Sequence, residues 1–305
     1  MHTTIPTFQA LTGTYEPSAI QQLPDGRFLI VEDEKRTPFS LITLSADGQV
    51  SSVPLNPEAM EAAEDFGKLD DLEALTLDRS GQFYALTSHS RDGEGEEKPS
   101  RDKLVRFRIE ADRVVAPVLA KGLKPALMAA HPVLAEAAAI LDVKAEGGLN
   151  IEALEITPDQ QRLLVGFRSP QLDRHALIAS IENPTAIFAA GEPPRISATL
   201  ITLDLGGHGI RGMAYFAALG GYLLISGPAA REQAQFQLWF WAGKPGERAQ
   251  RMIVPGLSGF EHAEGISPAL VDGQEYIILV SDDGDRKAGR FARYVLLDLT
   301  ALRPA

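Results

Sequence analysis

A chain of 305 residues with 41 acidic and 29 basic side chains has a formal charge of -12, which opposes phosphate backbones and anionic lipid and argues against nucleic-acid or membrane partners. Its 45% hydrophobic content suffices for a substantial core, yet no apolar run approaches the roughly 20 residues that span a bilayer. The absence of cysteine excludes disulfides, thiolate catalysis and Cys-ligated metals.

The first ten residues, MHTTIPTFQA, carry neither the basic segment nor the apolar segment of a secretory signal, so a cytoplasmic protein is expected. Residues 7–11 read as a short extended run with no companion of its own. From Glu16 onward a pattern recurs five times, starting again at Asp71, Asn150, Gly209 and His262. In each copy a small residue (Ala19, Ala74, Ala153, Gly212, Gly265) precedes an aliphatic one, then a turn and a second apolar run. Turns such as Pro24-Asp25-Gly26 and Val271-Asp272-Gly273 between short β-rich runs are hairpin signals.

A third strand is expected at 39–44, 104–109, 176–181, 236–241 and 294–299. A fourth is expected at 50–55, 114–119, 198–203 and 249–254, and the fifth copy has none before Ala305. Residues 57–69 form an acidic insertion expected to be helical, and 92–101 a polar loop expected to be mobile. The alanine- and leucine-rich stretch 125–141 predicts a small helical insertion, interrupted at Pro132. The chain therefore reads as all-β, a five-bladed β-propeller with four-stranded blades in one domain spanning 1–305. The N-terminal strand would complete the last blade and close the ring, since an open ring would expose unpaired edges.

Hairpin geometry brings the start of each first strand and the end of each second strand to one mouth of the channel. The strand starts supply Glu16, Ser18, Glu73, Glu152, Arg211 and Glu264. The strand ends supply Glu32, Asp33 and Glu34, then His89, Ser90 and Arg91, then Arg168, then Asp282, Asp283 and Asp285. Glu73, Glu152, Glu264, Asp282 and Asp283 are candidate oxygen ligands for a divalent cation, calcium or magnesium. Arg91, Arg168 and Arg211 are candidates to hold a small anionic ligand, and His89 and His208 to move a proton near neutral pH. Arg211 is the one cation among the first-strand starts; it reads as a ligand clamp, with an inter-blade ion-pair girdle as the structural alternative.

Two functions fit this mouth. One is a metal-assisted hydrolase of a small ester, phosphoester or lactone. The other is a non-catalytic propeller that binds a ligand or a protein, a use to which such folds also lend themselves. Ser88, His89 and Ser90 are adjacent with no G-x-S-x-G elbow, so a serine triad is disfavoured. Asp282-Asp283-Gly284-Asp285 lacks the distal Glu of an EF-hand. A monomer is expected.

The segments EPSAI...FLIVEDE, DLEAL...LTSHSRDGEGEEKPSRDKLVRF, GLNIEAL...LLVGFRSP, HALIASIENP, LDLGGHGIRGM, FQLWFWAG and ILVSDDGD occur in this order over almost the whole chain. In this the sequence resembles a bacterial family, domain-of-unknown-function family 3616. The resemblance implies a propeller-like fold with distant kinship to esterase-like phytase and gluconolactonase propellers, and it implies no activity or catalytic residue. The blocks 89–91, 167–168, 209–211 and 282–285 match as they stand. At the end of the first repeat, Glu32-Asp33-Glu34 replaces the Asp-Asp pair usual in that family.

Overall fold

Runs of β-branched and aromatic residues favour strands, and glycines between them allow tight reversals. Gly26 (φ 91°) and Gly273 (φ 77°) turn two of the hairpins in the left-handed conformation that side chains disfavour. The computed structural model describes residues 6–33, 38–45, 49–55, 68–229, 235–257, 259–260 and 262–305.

After the short strand β1 (Gln9–Ala10), blade 1 is built from β2 (Pro17–Gln22), β3 (Phe28–Glu32), β4 (Phe39–Leu44) and β5 (Val50–Pro54). Blade 2 follows with β6 (Leu72–Leu77), β7 (Phe83–Thr87), β8 (Leu104–Glu110) and β9 (Arg113–Ala120). Blade 3 contains β10 (Asn150–Ile156), β11 (Leu163–Ser169), β12 (Ala176–Ile181) and β13 (Ile201–Leu203). Blade 4 contains β14 (Gly209–Phe216), β15 (Gly221–Gly227), β16 (Gln237–Trp241) and β17 (Gln250–Ile253). Blade 5 has β18 (Ala263–Val271), β19 (Gln274–Ser281) and β20 (Arg293–Asp298), with β1 as its fourth strand.

These antiparallel sheets form a five-bladed β-propeller, with first strands in contact around the ring from β2 through β18 and back to β2. Closure follows the expected route: Gln9 pairs with Tyr294 and Ala10 with Arg293, while Leu11 is fully buried between blades 5 and 1. One strand was not expected. The C-terminal β21 (Arg303–Pro304) pairs with β17, so blade 4 gains a fifth strand and the chain end straps its outer edge.

The core lies in the seams between blades, because alternate residues of a strand face opposite neighbours. On β6, for example, Ala74 packs towards blade 3 and Leu75 towards blade 1. Where first strands approach most closely only a small residue fits: a Cβ on Gly212 would lie 2.0 Å from the Glu264 carbonyl oxygen.

The expected helical insertion is present as α1 (Leu123–Ala130) and α2 (Pro132–Ala138), the latter opened by Pro132, whose missing N–H costs nothing in a first turn. A single turn, α3 (Val143–Glu146), follows, capped by Asp142 accepting from the Ala145 N–H at 3.0 Å. The short helix α4 (Pro184–Ala190) was missed by the sequence reading. The 57–69 insertion lies largely outside the described residues, as does Glu34. Residues 92–101, expected as a mobile loop, are closed on themselves: Asp92 Oδ1 accepts from the N–H groups of Glu94 and Glu96, each at 2.9 Å. No helix among the described residues is long and apolar enough to cross a membrane.

Beneath the channel, Glu155 ties three blades together. Its carboxyl accepts from Thr76 Oγ1 of blade 2 at 2.9 Å and from the Tyr215 N–H of blade 4 at 3.2 Å. Burial pushes its pKa up to about 8, the two hydrogen bonds opposing the rise. Between the ordinary carboxyl value and about 8 the folded protein holds a proton that the unfolded chain has lost. Stability therefore falls as pH rises through this window and levels off above it. Glu155→Gln should flatten the decline by up to about 1.4 kcal/mol per pH unit, read from urea unfolding at pH 5 to 9. An unchanged slope would show that Glu155 is not the group holding the proton.

Candidate functional site

In all five first strands the pairing with the second strand slips at the same place: between Pro17 and Ala19, Leu72 and Ala74, Ile151 and Ala153, Ile210 and Gly212, and Ala263 and Gly265. The residues skipped are Ser18, Glu73, Glu152, Arg211 and Glu264. A bulge leaves its extra residue outside the ladder and re-aims the side chain. Here all five line a cavity of about 640 Å³ at the channel mouth. Below them the small residues and an aliphatic layer of Leu75, Leu154, Met213 and Ile266 leave a void of only about 10 Å³. The mouth is thus a blind pocket rather than a pore.

The arginines on its wall are already paired. Arg211, 8% exposed, lies 2.8 Å from Glu152 Oε2 and in direct contact with Glu264 Oε1, with its guanidinium over the Phe236 ring. Burial pulls its pKa below the usual arginine value, against the attraction of Glu152. Arg168 donates to Glu152 Oε1 at 3.1 Å and to the Pro228 carbonyl oxygen at 3.1 Å. Arg91 donates to the carbonyl oxygens of Ala138 and Gly95 and lies 3.2 Å from Glu97. The three cations expected to hold an anion all line the cavity, and each is committed to protein oxygens.

The carboxyls of Glu16, Asp33, Glu73 and Asp282 are in the opposite condition. All four line the cavity, and none has a hydrogen bond or ion pair among the described residues. Burial and then the Asp71 charge push Asp33 up to about 7, with Arg101 opposing. Burial, then Glu152, Asp71 and Asp33, raise Glu73 well above the carboxylate range. Asp282 is pushed up to about 6 by burial, which the Arg211 charge opposes. Crowded, desolvated carboxyls hold protons because ionising one makes ionising the next harder.

The expected cation ligands do not assemble into a coordination shell. Glu152 and Glu264 are held by Arg211, and Asp283 is outside the cavity, bound to Arg293 and to Ser281 Oγ at 2.6 Å. Among the described residues, three acidic or histidine ligand atoms come within 4.8 Å of one another at Asp92, Glu94 and Glu96 alone. There the ammonium of Lys98 already sits 3.1 Å from Asp92 and 2.7 Å from Glu96.

Neither histidine lines the cavity. His89, at φ 56° and 1% exposed, is turned into the blade, with Nδ1 2.8 Å from the Thr87 carbonyl oxygen and Nε2 2.9 Å from Asp102. Burial pushes the Asp102 pKa upward, but the His89 contact outweighs it and leaves the value lowered. His208 Nδ1 lies 3.5 Å from Ser226 Oγ on β15.

Sequence reasoning passed over Asp71 and Arg101. Asp71 (φ 61°) accepts from Ser88 Oγ and, at 3.2 Å, from Ser90 Oγ, and Arg101 bridges it at 3.0 Å and Asp70 at 3.2 Å. This network forms the blade 2 wall of the cavity and uses both serines structurally. Asp71 opens its repeat and was available as a signal; Arg101 was hidden in a stretch that read as solvated loop.

Solved structures similar to this chain include a GH43 β-1,3-galactosidase with galactodeoxynojirimycin, at 12% identity and a TM-score of 0.53, covering 97% of each chain. They also include the PQQ-bound aldose sugar dehydrogenase of Streptomyces coelicolor, at 15% identity and a TM-score of 0.47, covering 96% of this chain and 98% of that one. The periplasmic gluconolactonase of Pseudomonas aeruginosa is similar at 12% identity and a TM-score of 0.39, covering 91% of this chain and 70% of that one. At such identities the likeness speaks to the fold alone. No curated protein matches the sequence. The family model described as protein of unknown function (DUF3616) matches residues 127–298, more than half of the chain, and the chain belongs to that family.

Proposed function

We propose that the blind pocket binds a small, non-anionic polar ligand and hydrolyses it as an ester or lactone, with cavity carboxyls as acid and base. The observation that carries this reading is the set of partner-free carboxyls on one cavity wall, with pKa values spread by their surroundings. Groups pushed apart in this way can serve as proton donor and acceptor at one pH. Glu73, whose pKa is raised by burial and then by Glu152, suits donation to a departing oxygen. Asp282, at about 6, is mostly ionised above neutrality and suits taking a proton from an attacking water. Phosphoesters are poor candidates, because every arginine in the pocket is spent on protein oxygens and the partner-free carboxyls repel a phosphate. No step requires a divalent cation.

A panel of aryl esters, lactones and phosphoesters, assayed with EDTA and again with calcium or magnesium, tests this directly. Turnover of an ester or lactone should survive EDTA. It should drop by about 100-fold or more in Glu73→Gln, the usual scale of one general acid. If no compound is turned over or shifts the melting temperature, the reading is wrong. Binding without turnover would point instead to a non-catalytic receptor, which the absence of both histidines from the cavity wall favours.

A further inference from the structure

We infer that the ligand presents a protonated amine to the acidic side of the pocket, where Glu16, Asp33, Glu73 and Asp282 line the wall together with Ser18. This rests on the reading of the pocket as a binding site and names the chemistry of what it binds. The four carboxyls come from blades 5, 1 and 2, and they feel one another: Glu16 repels Asp33 and Asp282, and Asp33 repels Glu73. The arginine-rich side, from blades 3 and 4, is internally balanced by Glu152 and Glu264. The carboxyls with neither a hydrogen bond nor an ion pair among the described residues are therefore gathered on one side of the mouth.

A second observation points the same way. Ser18 is 5% exposed and placed in the cavity by its bulge, yet among the described residues its hydroxyl has no hydrogen-bond partner. A hydroxyl that lines the cavity without a protein partner is available both to donate to and to accept from a ligand. At pH 7.5 Asp33, at about 7, and Asp282, at about 6, are mostly ionised and only accept hydrogen bonds, so a guest on this wall must bring donors. It must also bring positive charge, because a neutral polyol would fill the acceptors and leave the repulsion in place.

A metal ion fits less well. Calcium–oxygen bonds of about 2.3–2.6 Å require ligand oxygens within roughly 5 Å of one another, and no three of these carboxyls meet within 4.8 Å. An ammonium group reaches acceptors at about 2.7–2.9 Å in several directions and spans a wider arrangement.

Glucamine, sorbitol and gluconate share a six-carbon polyol chain and differ in charge at one end. Calorimetric titration of each into the full-length protein at pH 7.5 should give glucamine an affinity at least about tenfold above sorbitol, since charge-assisted hydrogen bonds are roughly twice as strong as neutral ones. Gluconate should bind most weakly. The variant Asp33→Asn, checked for native circular dichroism, should lose most of the preference for glucamine over sorbitol, and an unchanged preference would overturn the inference. Equal or tighter binding of sorbitol or gluconate would overturn the inference and leave the pocket as a ligand site. Displacement of glucamine by micromolar calcium chloride would overturn it in favour of a metal centre. Failure of all three polyols to bind would overturn this inference, while the ester and lactone assay decides the pocket's function separately.

Discussion

Arg211→Ala should lower folding stability by about 3–5 kcal/mol in urea unfolding, the scale expected when a buried ion pair loses one partner. Arg211 sits between Glu152, 4% exposed, and Glu264, both largely removed from water. Truncation leaves Glu264 without its cation and Glu152 with Arg168 alone, in a cavity already rich in acid. The sequence reading favoured Arg211 as a ligand clamp. Its contacts span blades 3, 4 and 5, which is what a structural tie between blades requires. Arg211→Lys separates the roles further: an ammonium keeps the charge but cannot hold two carboxylates with a planar fork, so an intermediate loss is expected. Adding Glu152→Gln and Glu264→Gln to Arg211→Ala should restore part of the stability by removing the stranded charges. A melting temperature unchanged in Arg211→Ala, with ligand binding abolished, would return the residue to the clamp role.

Deleting residues 1–12 should open the ring. The deletion removes both β1 pairs with β20, the Leu11 N–H bond to the Ala292 carbonyl oxygen at 2.7 Å, and the Leu11 side chain in the seam between blades 5 and 1. The exposed edge of β20 would then be free to pair with another chain. Earlier melting and association on size-exclusion chromatography are expected. The single change Leu11→Ala isolates the packing part and should cost about 2–5 kcal/mol, as a large-to-small change in a tight core does. A truncated protein that stays monomeric and melts as before would show that β1 does not hold the ring closed.

The blade count, the closure by residues near 7–11 and the identity of the five residues at the pocket floor were legible from the sequence. Each depends on local rules: hairpin turns, alternation along a strand and a small residue at every close approach. The recurrence of Ser18, Glu73, Glu152, Arg211 and Glu264 one position before that small residue is the trace of the bulge itself. What tertiary structure decided was which charges meet. His89 reads as a mouth residue by position, but its left-handed backbone turns the ring towards Thr87 and Asp102. Asp283 follows Asp282 directly, yet one lines the pocket and the other pairs with Arg293 outside it. Arg168 and Arg211 appeared free for a ligand because their partners lie 16 to 60 residues away, most of them on another blade. Strand pattern is set by neighbours two residues apart, whereas the pairing of side chains across the channel depends on how the blades are rotated about a common axis, which no single repeat encodes.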